Sequence, residues 1–177
     1  MKHGALHIGC SGNWIRCPRK EIAMDYFENS ENVERLQAEL KKWIGTSFRY
    51  STQGQAEPKV TADCVSFPIQ VFKRLGLISE AYSPAFYCSH NIENQLDRIY
   101  ADLDQMQTRR ADGEEIIAGD VLVCSFKRGI QHLLIASGDG LAWDCWPGVG
   151  VRSVPLCSKR IKDNLQRIYR WQTALIK

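Results

Sequence analysis

The chain has 177 residues and a mass of 20.2 kDa, the length of one domain. Its 44% hydrophobic and 24% charged residues exclude collagen-like, coiled-coil and disordered chains. A net charge of +3, spread along the sequence, offers no basic footprint for nucleic acid, and no apolar stretch approaches a membrane span.

Residues 1–29 lack periodicity and read as an irregular arm. The opening MKHGALHIGCSGNWIRC breaks its apolar run with His, Gly, Ser and Asn. It does not read as a signal peptide, so a cytoplasmic start is expected. Seven cysteines in such a chain read as free thiols rather than a disulfide framework. Cys124 and Cys145, in apolar runs, are expected to pack as small hydrophobes.

From Ser30 the pattern turns helical. Val33, Leu36, Leu40, Trp43 and Ile44 share a face, Ser30 is placed to cap, and Gly45 ends the element. Residues 51–62 read as a polar loop. A second helix is expected from about Cys64 to Leu75, stopped by Gly76, and a third over about 91–107. After the charged loop TRRADGEE come GDVLVCSF, QHLLIASG, GLAWDCW and GVRSVPL, β-rich runs punctuated by Gly turns, with RIYRWQTAL as a final strand. Helices followed by an antiparallel sheet make an α+β domain.

Three residues stand out chemically. Cys64 lies where a polar loop becomes a helix, and the positive end of a helix favours thiolate and lowers a cysteine pKa. His132 opens an otherwise apolar strand. Asp144 interrupts another, where an acid is costly without a partner. A thiol, an imidazole base and an acid to orient it are the requirements of thiol catalysis. Strand geometry sets a condition on the pair. A two-residue Asp139-Gly140 turn would place Asp144 against Ile135, facing away from His132. An odd connection restores the shared face: a Ser137–Asp139 loop sets Asp144 opposite His132, and a Gly138–Gly140 loop sets it opposite Leu134, one diagonal away.

With these pieces in order, the chain resembles the NlpC-type cysteine peptidases, papain-like enzymes that trim bacterial cell-wall peptides. The matching segments are WIGTSFRY at 43–50, DCVSF at 63–67, VFKRLGL at 71–77, AGDVLVCSF at 118–126, QHLLIASGDG at 131–140 and WDCWPGVGV at 143–151. They span about residues 33–156. The interval from His132 to Asp144 equals the family's interval from base to third residue. The resemblance implies a papain-like domain over 30–177, with N-terminal helices packed on the sheet and a helical insert at about 89–107. It implies Cys64 as nucleophile, His132 as general base, Asp144 as orienting residue, and Tyr50 and Asp63 as substrate-binding residues. The implied reaction is hydrolysis of the D-γ-glutamyl–diamino acid bond of a murein stem peptide, or of a similar small amide, through an acyl-enzyme and without a cofactor.

The chain departs from the family pattern at three places. Val65 stands where a Ser commonly helps recognise the substrate's free amine, Pro68 follows early in the helix, and Asp replaces the more usual His at 144. Val65 leaves open acyl transfer, or hydrolysis of a non-murein amide, on the same scaffold. His3, His7, Cys10 and Cys17 also offer two nitrogens and two sulfurs, the donor set of a structural zinc site. On that reading the protein is a zinc-stapled binding module and Cys64 a core thiol. The Cys88/His90 pair is spaced two apart, which does not bring side chains together productively. A murein substrate outside the cytoplasm would require a phage-borne origin or export by another route. The oligomeric state is not legible.

Overall fold

The computed structural model describes residues 23–50, 56–83, 95–126 and 130–173. Its frame is a six-stranded antiparallel sheet. The strands are β3 (Thr108–Arg110), β4 (Val121–Phe126), β5 (Ile130–Ala136), β6 (Leu141–Trp146), β7 (Gly150–Pro155) and β8 (Leu165–Trp171). Strands β4 to β7 form a meander, and β8 returns beside β4 with β3 outside it, giving the order β3-β8-β4-β5-β6-β7. A short parallel pair, β1 (Ser47–Phe48) and β2 (Thr61–Ala62), lies apart from this sheet.

Both faces of the sheet are covered, which explains why VLVC and LLIA are continuous apolar runs rather than alternating ones. Val121, Val123, Leu133, Ile135, Trp143 and Cys145 share a core with α1 (Ser30–Lys42) and α2 (Ser66–Arg74). Leu122, Cys124, Leu134 and Ala142 form a second core with Ile161 of the short helix α4 (Lys159–Lys162). Side chains alternate along a strand, so His132 and Asp144 share parity with this second face. Helix α3 spans Gln95–Gln105 within the longer helix expected there, and residues 91–94 lie outside the described ones. Among the described residues no helix is long and apolar enough to cross a membrane.

Three local details differ from expectation. The cap of α1 is Asn29, whose Oδ1 accepts from the Glu31 N–H at 2.9 Å, so Ser30 is the first helical residue rather than the cap. The charged loop TRRADGEE holds strand β3, an edge strand whose arginines make ion pairs, so charge masks its extended backbone. Segment 51–62, expected as loop, contributes β2.

Two motifs hold the frame together. In AGDV, Gly119 has φ +78° and lies under the Phe27 ring, where a Cβ would come within 1.9 Å of a ring carbon. Next to it the fully buried Asp120 accepts from Arg170 Nε at 2.9 Å and Nη2 at 2.8 Å. In WIGT, the Thr46 carbonyl accepts from the Val151 N–H at 2.9 Å, an approach that Gly150 permits because a Cβ there would sit 2.1 Å from that oxygen.

Candidate active site

Cys64 lies at the true start of the α2 segment. Asp63 Oδ1 accepts from the Val65 N–H at 3.0 Å and the Ser66 N–H at 2.7 Å, while Ser66 Oγ accepts from the Asp63 N–H at 2.9 Å. This reciprocal cap makes Asp63 the N-cap and Cys64 the first residue of the turn. Phe67 N–H donates to the Asp63 carbonyl and Ile69 N–H to the Val65 carbonyl. Pro68 has no N–H to give the Cys64 carbonyl between them, so regular helix begins only at Ser66. Phe67, Val71 and Leu75 are buried along the same face and anchor the turn in the core.

The half-buried Cys64 thiol points to the Gln131 carbonyl at 3.9 Å, one residue before His132. Its pKa is not lowered, contrary to the expectation from the helix terminus. Burial pushes it well above the ordinary thiol value, and the nearby Asp63, Cys145 and Asp144 add to that. The dipole of a nine-residue helix does not offset loss of water together with an acid at the cap. Cys124 and Cys145 are fully buried, as expected of small core residues, and burial pushes each up to about 12.

On the sheet, Ile135 pairs with Trp143 and Ala136 with Ala142. The connection is therefore the three-residue Gly138–Gly140 loop, with φ +85° at Gly138 and +81° at Gly140, and Asp144 falls opposite Leu134. The diagonal brings His132 Nε2 to 2.9 Å from Asp144 Oδ2, with both residues 2% exposed. Facing a carboxylate, Nε2 carries the proton, which leaves Nδ1 as the basic nitrogen.

Arg152, directly across from Asp144 on β7, completes the pair and was not singled out from the sequence. Its Nε donates to Oδ1 at 2.9 Å and its Nη2 to Oδ2 at 3.3 Å. Burial by itself would raise the Asp144 carboxyl. The hydrogen bonds from His132 and Arg152 outweigh it and hold that carboxyl below the usual range. An arginine in GVRSV reads as an ordinary solvent-facing strand residue. Its strand parity opposite a buried acid is the one signal that could have found it.

The imidazole is walled by aromatic rings. Trp146 meets it edge-on at 4.8 Å between centroids and Phe126 stands 5.9 Å away. The guanidinium of Arg160 lies 3.8 Å over the Trp146 ring and that of Arg152 5.3 Å over it. Behind Asp144 a cavity of about 160 Å³ is lined mainly by Phe126, Leu134, Val154, Pro155 and Ile161.

The two residues named for substrate binding differ in place. Asp63 is occupied in capping the Cys64 turn. Tyr50 is 69% exposed and its ring stands edge-to-face on Phe48 at 4.7 Å. The set His3, His7, Cys10 and Cys17 and the pair Cys88/His90 lie outside the described residues. Among the described residues no three His, Cys, Asp or Glu side chains group to hold a metal ion.

Neither a family model nor a curated protein matches the sequence. Solved structures do match the fold. One is a Staphylococcus aureus Mu50 protein described as similar to lipoprotein, of the NLP/P60 family. It is 18% identical with TM-score 0.56, over 85% of this chain and 44% of that one. Another is NlpC2 from Trichomonas vaginalis, 17% identical with TM-score 0.54, over 80% of this chain and 48% of that one. The chain thus spans less than half the length of either. The likeness is one of architecture: this chain has the NlpC/P60-type α+β fold.

Proposed function

We propose that the protein is a thiol-dependent amide hydrolase in which Cys64 is the nucleophile, His132 the general base and Asp144 the residue that orients the base. The observation that carries this reading is the buried 2.9 Å His132–Asp144 pair, with the Cys64 thiol against the carbonyl of the residue preceding His132. A buried acid and imidazole on adjacent strands are costly to maintain as core, and with Nε2 on Asp144 the imidazole keeps Nδ1 as its basic nitrogen. Among the described contacts the Cys64 thiol meets the Gln131 carbonyl and not the ring, so attack requires thiol and imidazole to close on each other.

Burial keeps the resting thiol protonated. Activation is then by general base catalysis, without a preformed ion pair. As Sγ attacks the amide carbonyl carbon, the thiol proton passes to His132 Nδ1 and the C=O pair moves onto oxygen. The imidazolium returns that proton to the leaving amine as the C–N bond breaks, giving a thioester on Cys64. Water, deprotonated by His132, cleaves the thioester and restores the thiol. The Val65 and Ser66 N–H groups are occupied by Asp63, so the Cys64 N–H is that turn's donor for the oxyanion, with the exposed Tyr50 a helper.

The substrate that the fold favours is a peptidoglycan stem peptide, cut between D-γ-glutamate and the diamino acid. A second reading, the same chemistry on a non-murein amide, is favoured by Val65, which offers no hydroxyl beside the nucleophile. Incubation with an L-Ala-γ-D-Glu-diamino acid peptide tests both. The expected result is cleavage at the γ-glutamyl bond, lost by at least about a thousandfold in Cys64→Ala with the fold retained. Turnover of other amides but not this peptide supports the second reading, and wild-type turnover by Cys64→Ala refutes both.

A further inference from the structure

We infer that Arg152 is a positioning residue of the site, holding the Asp144 carboxylate in the one rotamer that delivers Oδ2 to His132 Nε2. The inference rests on the proposed roles of His132 and Asp144 and adds a fourth member to them.

The geometry is specific. Asp144 and Arg152 are direct cross-strand partners, so their Cβ atoms start on the same face of the sheet. Arg152 approaches with its Nε edge, Nε to Oδ1 and Nη2 to Oδ2, the two-point contact that fixes the plane of a carboxylate. Oδ2 is then shared between Arg152 Nη2 at 3.3 Å and His132 Nε2 at 2.9 Å. A carboxylate turning about its Cβ–Cγ bond would have to break both arginine contacts as well as the one to the imidazole. Arg152 is itself braced by lying over Trp146, the ring that meets the His132 edge. One aromatic ring therefore sets the spacing between base and brace.

The consequence is a fixed tautomer. An immobile acceptor at Nε2 keeps the proton there and leaves Nδ1 unprotonated. A carboxylate held only by the imidazole would rotate, and His132 would sample the other tautomer, with its proton on Nδ1. The other charged and titratable groups around the pair are Arg160 on α4, Cys124 on β4, Cys145 on β6, and Asp63 and Cys64 at the α2 turn. Among the described contacts only Arg152 joins His132 in bonding the Asp144 carboxylate.

Nitrogen-15 NMR of the full chain reads the His132 tautomer directly, alongside steady-state kinetics on the γ-D-glutamyl peptide. Arg152→Gln is expected to shift His132 from the Nε2–H form to a mixture of tautomers, and to lower kcat about tenfold to a hundredfold with KM unchanged. Arg152→Lys, which keeps the charge but offers a point contact, is expected to fall between the two and serves if the Gln variant does not fold. Arg160→Gln removes a guanidinium from the same Trp146 ring without touching Asp144, and should leave the tautomer at its wild-type value. A wild-type tautomer in Arg152→Gln, or in Arg152→Lys where that variant alone folds, overturns the inference. If the wild type turns over no amide while the tautomer shifts as stated, the hydrolase reading fails and the positioning of His132 by Arg152 stands.

Discussion

The sheet carries two buried aspartates, each gripped by an arginine through two nitrogens, and they serve opposite ends. Asp120 on the Gly119 turn gives both oxygens to Arg170 and a further bond to the Ile117 N–H, and it is fully buried. Asp144 gives its oxygens to Arg152 but shares one with a histidine, and a cavity opens against it. Burial raises the Asp120 carboxyl in spite of Arg170, whereas His132 and Arg152 together hold the Asp144 carboxyl down against burial. An acid–arginine pair whose remaining bond goes to a backbone N–H is a rivet. The same pair with one lone pair lent to a titratable ring is a holder for that ring.

Breaking each pair should therefore have separate consequences. Asp144→Asn keeps the shape but offers Nε2 a group that can turn its amide toward it, and should cost about tenfold to a hundredfold in kcat with only a small loss of stability at neutral pH. Peptide hydrolysis and calorimetry on the same sample check this. Arg170→Met leaves Asp120 buried without a cation and should cost about 3–5 kcal/mol of unfolding free energy, measured by urea titration, while the protein that remains folded retains its turnover rate. Gly150→Ala sets a methyl group against the Thr46 carbonyl at a positive φ, and should lower stability by about 1–3 kcal/mol with loosened docking of the Gly45–Thr46 turn.

The smallest effect is the most discriminating, because its sign differs between the two acids. Asp144 has a folded-state pKa below its unfolded value, so its stabilisation is present above about pH 4 and is lost as pH falls through the folded value. Asp120 has a folded-state pKa above its unfolded value, so ionising it on the way to neutral pH subtracts from stability. Across pH 3 to 6, the stability deficit of Asp144→Asn should grow as pH rises and that of Asp120→Asn should shrink. Parallel slopes in urea titrations would show that the two pairs are equivalent after all.

The α+β order was legible in the periodicities, and the buried His132–Asp144 pair drew attention because polar side chains in apolar runs are costly enough to be conspicuous. Cys64, His132 and Asp144 each break a pattern. The pairing of the last two depended on the length of one turn, and Gly138 with Gly140 allowed either of two odd loops. Backbone hydrogen bonds, which a sequence does not display, selected the diagonal one. Arg152 and Arg170 were invisible for the converse reason, since an arginine in a strand matches the pattern of a solvated face. The cap at Asn29 and the strand at Thr108 were hidden by neighbours with equal or stronger signals. The direction of the Cys64 shift was missed because a helix terminus can be read from sequence, whereas burial of the thiol beside Asp63 and Asp144 comes from the tertiary fold.

Hydrolysis by this route passes through a covalent intermediate on Cys64 with His132 as its base. Acid quenching of the native protein during turnover of an activated γ-D-glutamyl ester, followed by peptide mapping in a mass spectrometer, reads that intermediate. An acyl group is expected on Cys64 in the wild type, formed more slowly in His132→Ala and absent in Cys64→Ala, with buried Cys124 and Cys145 unmodified. Acylation of the exposed Cys157 instead, or a Cys64 thiol that reacts only after denaturation, would contradict it.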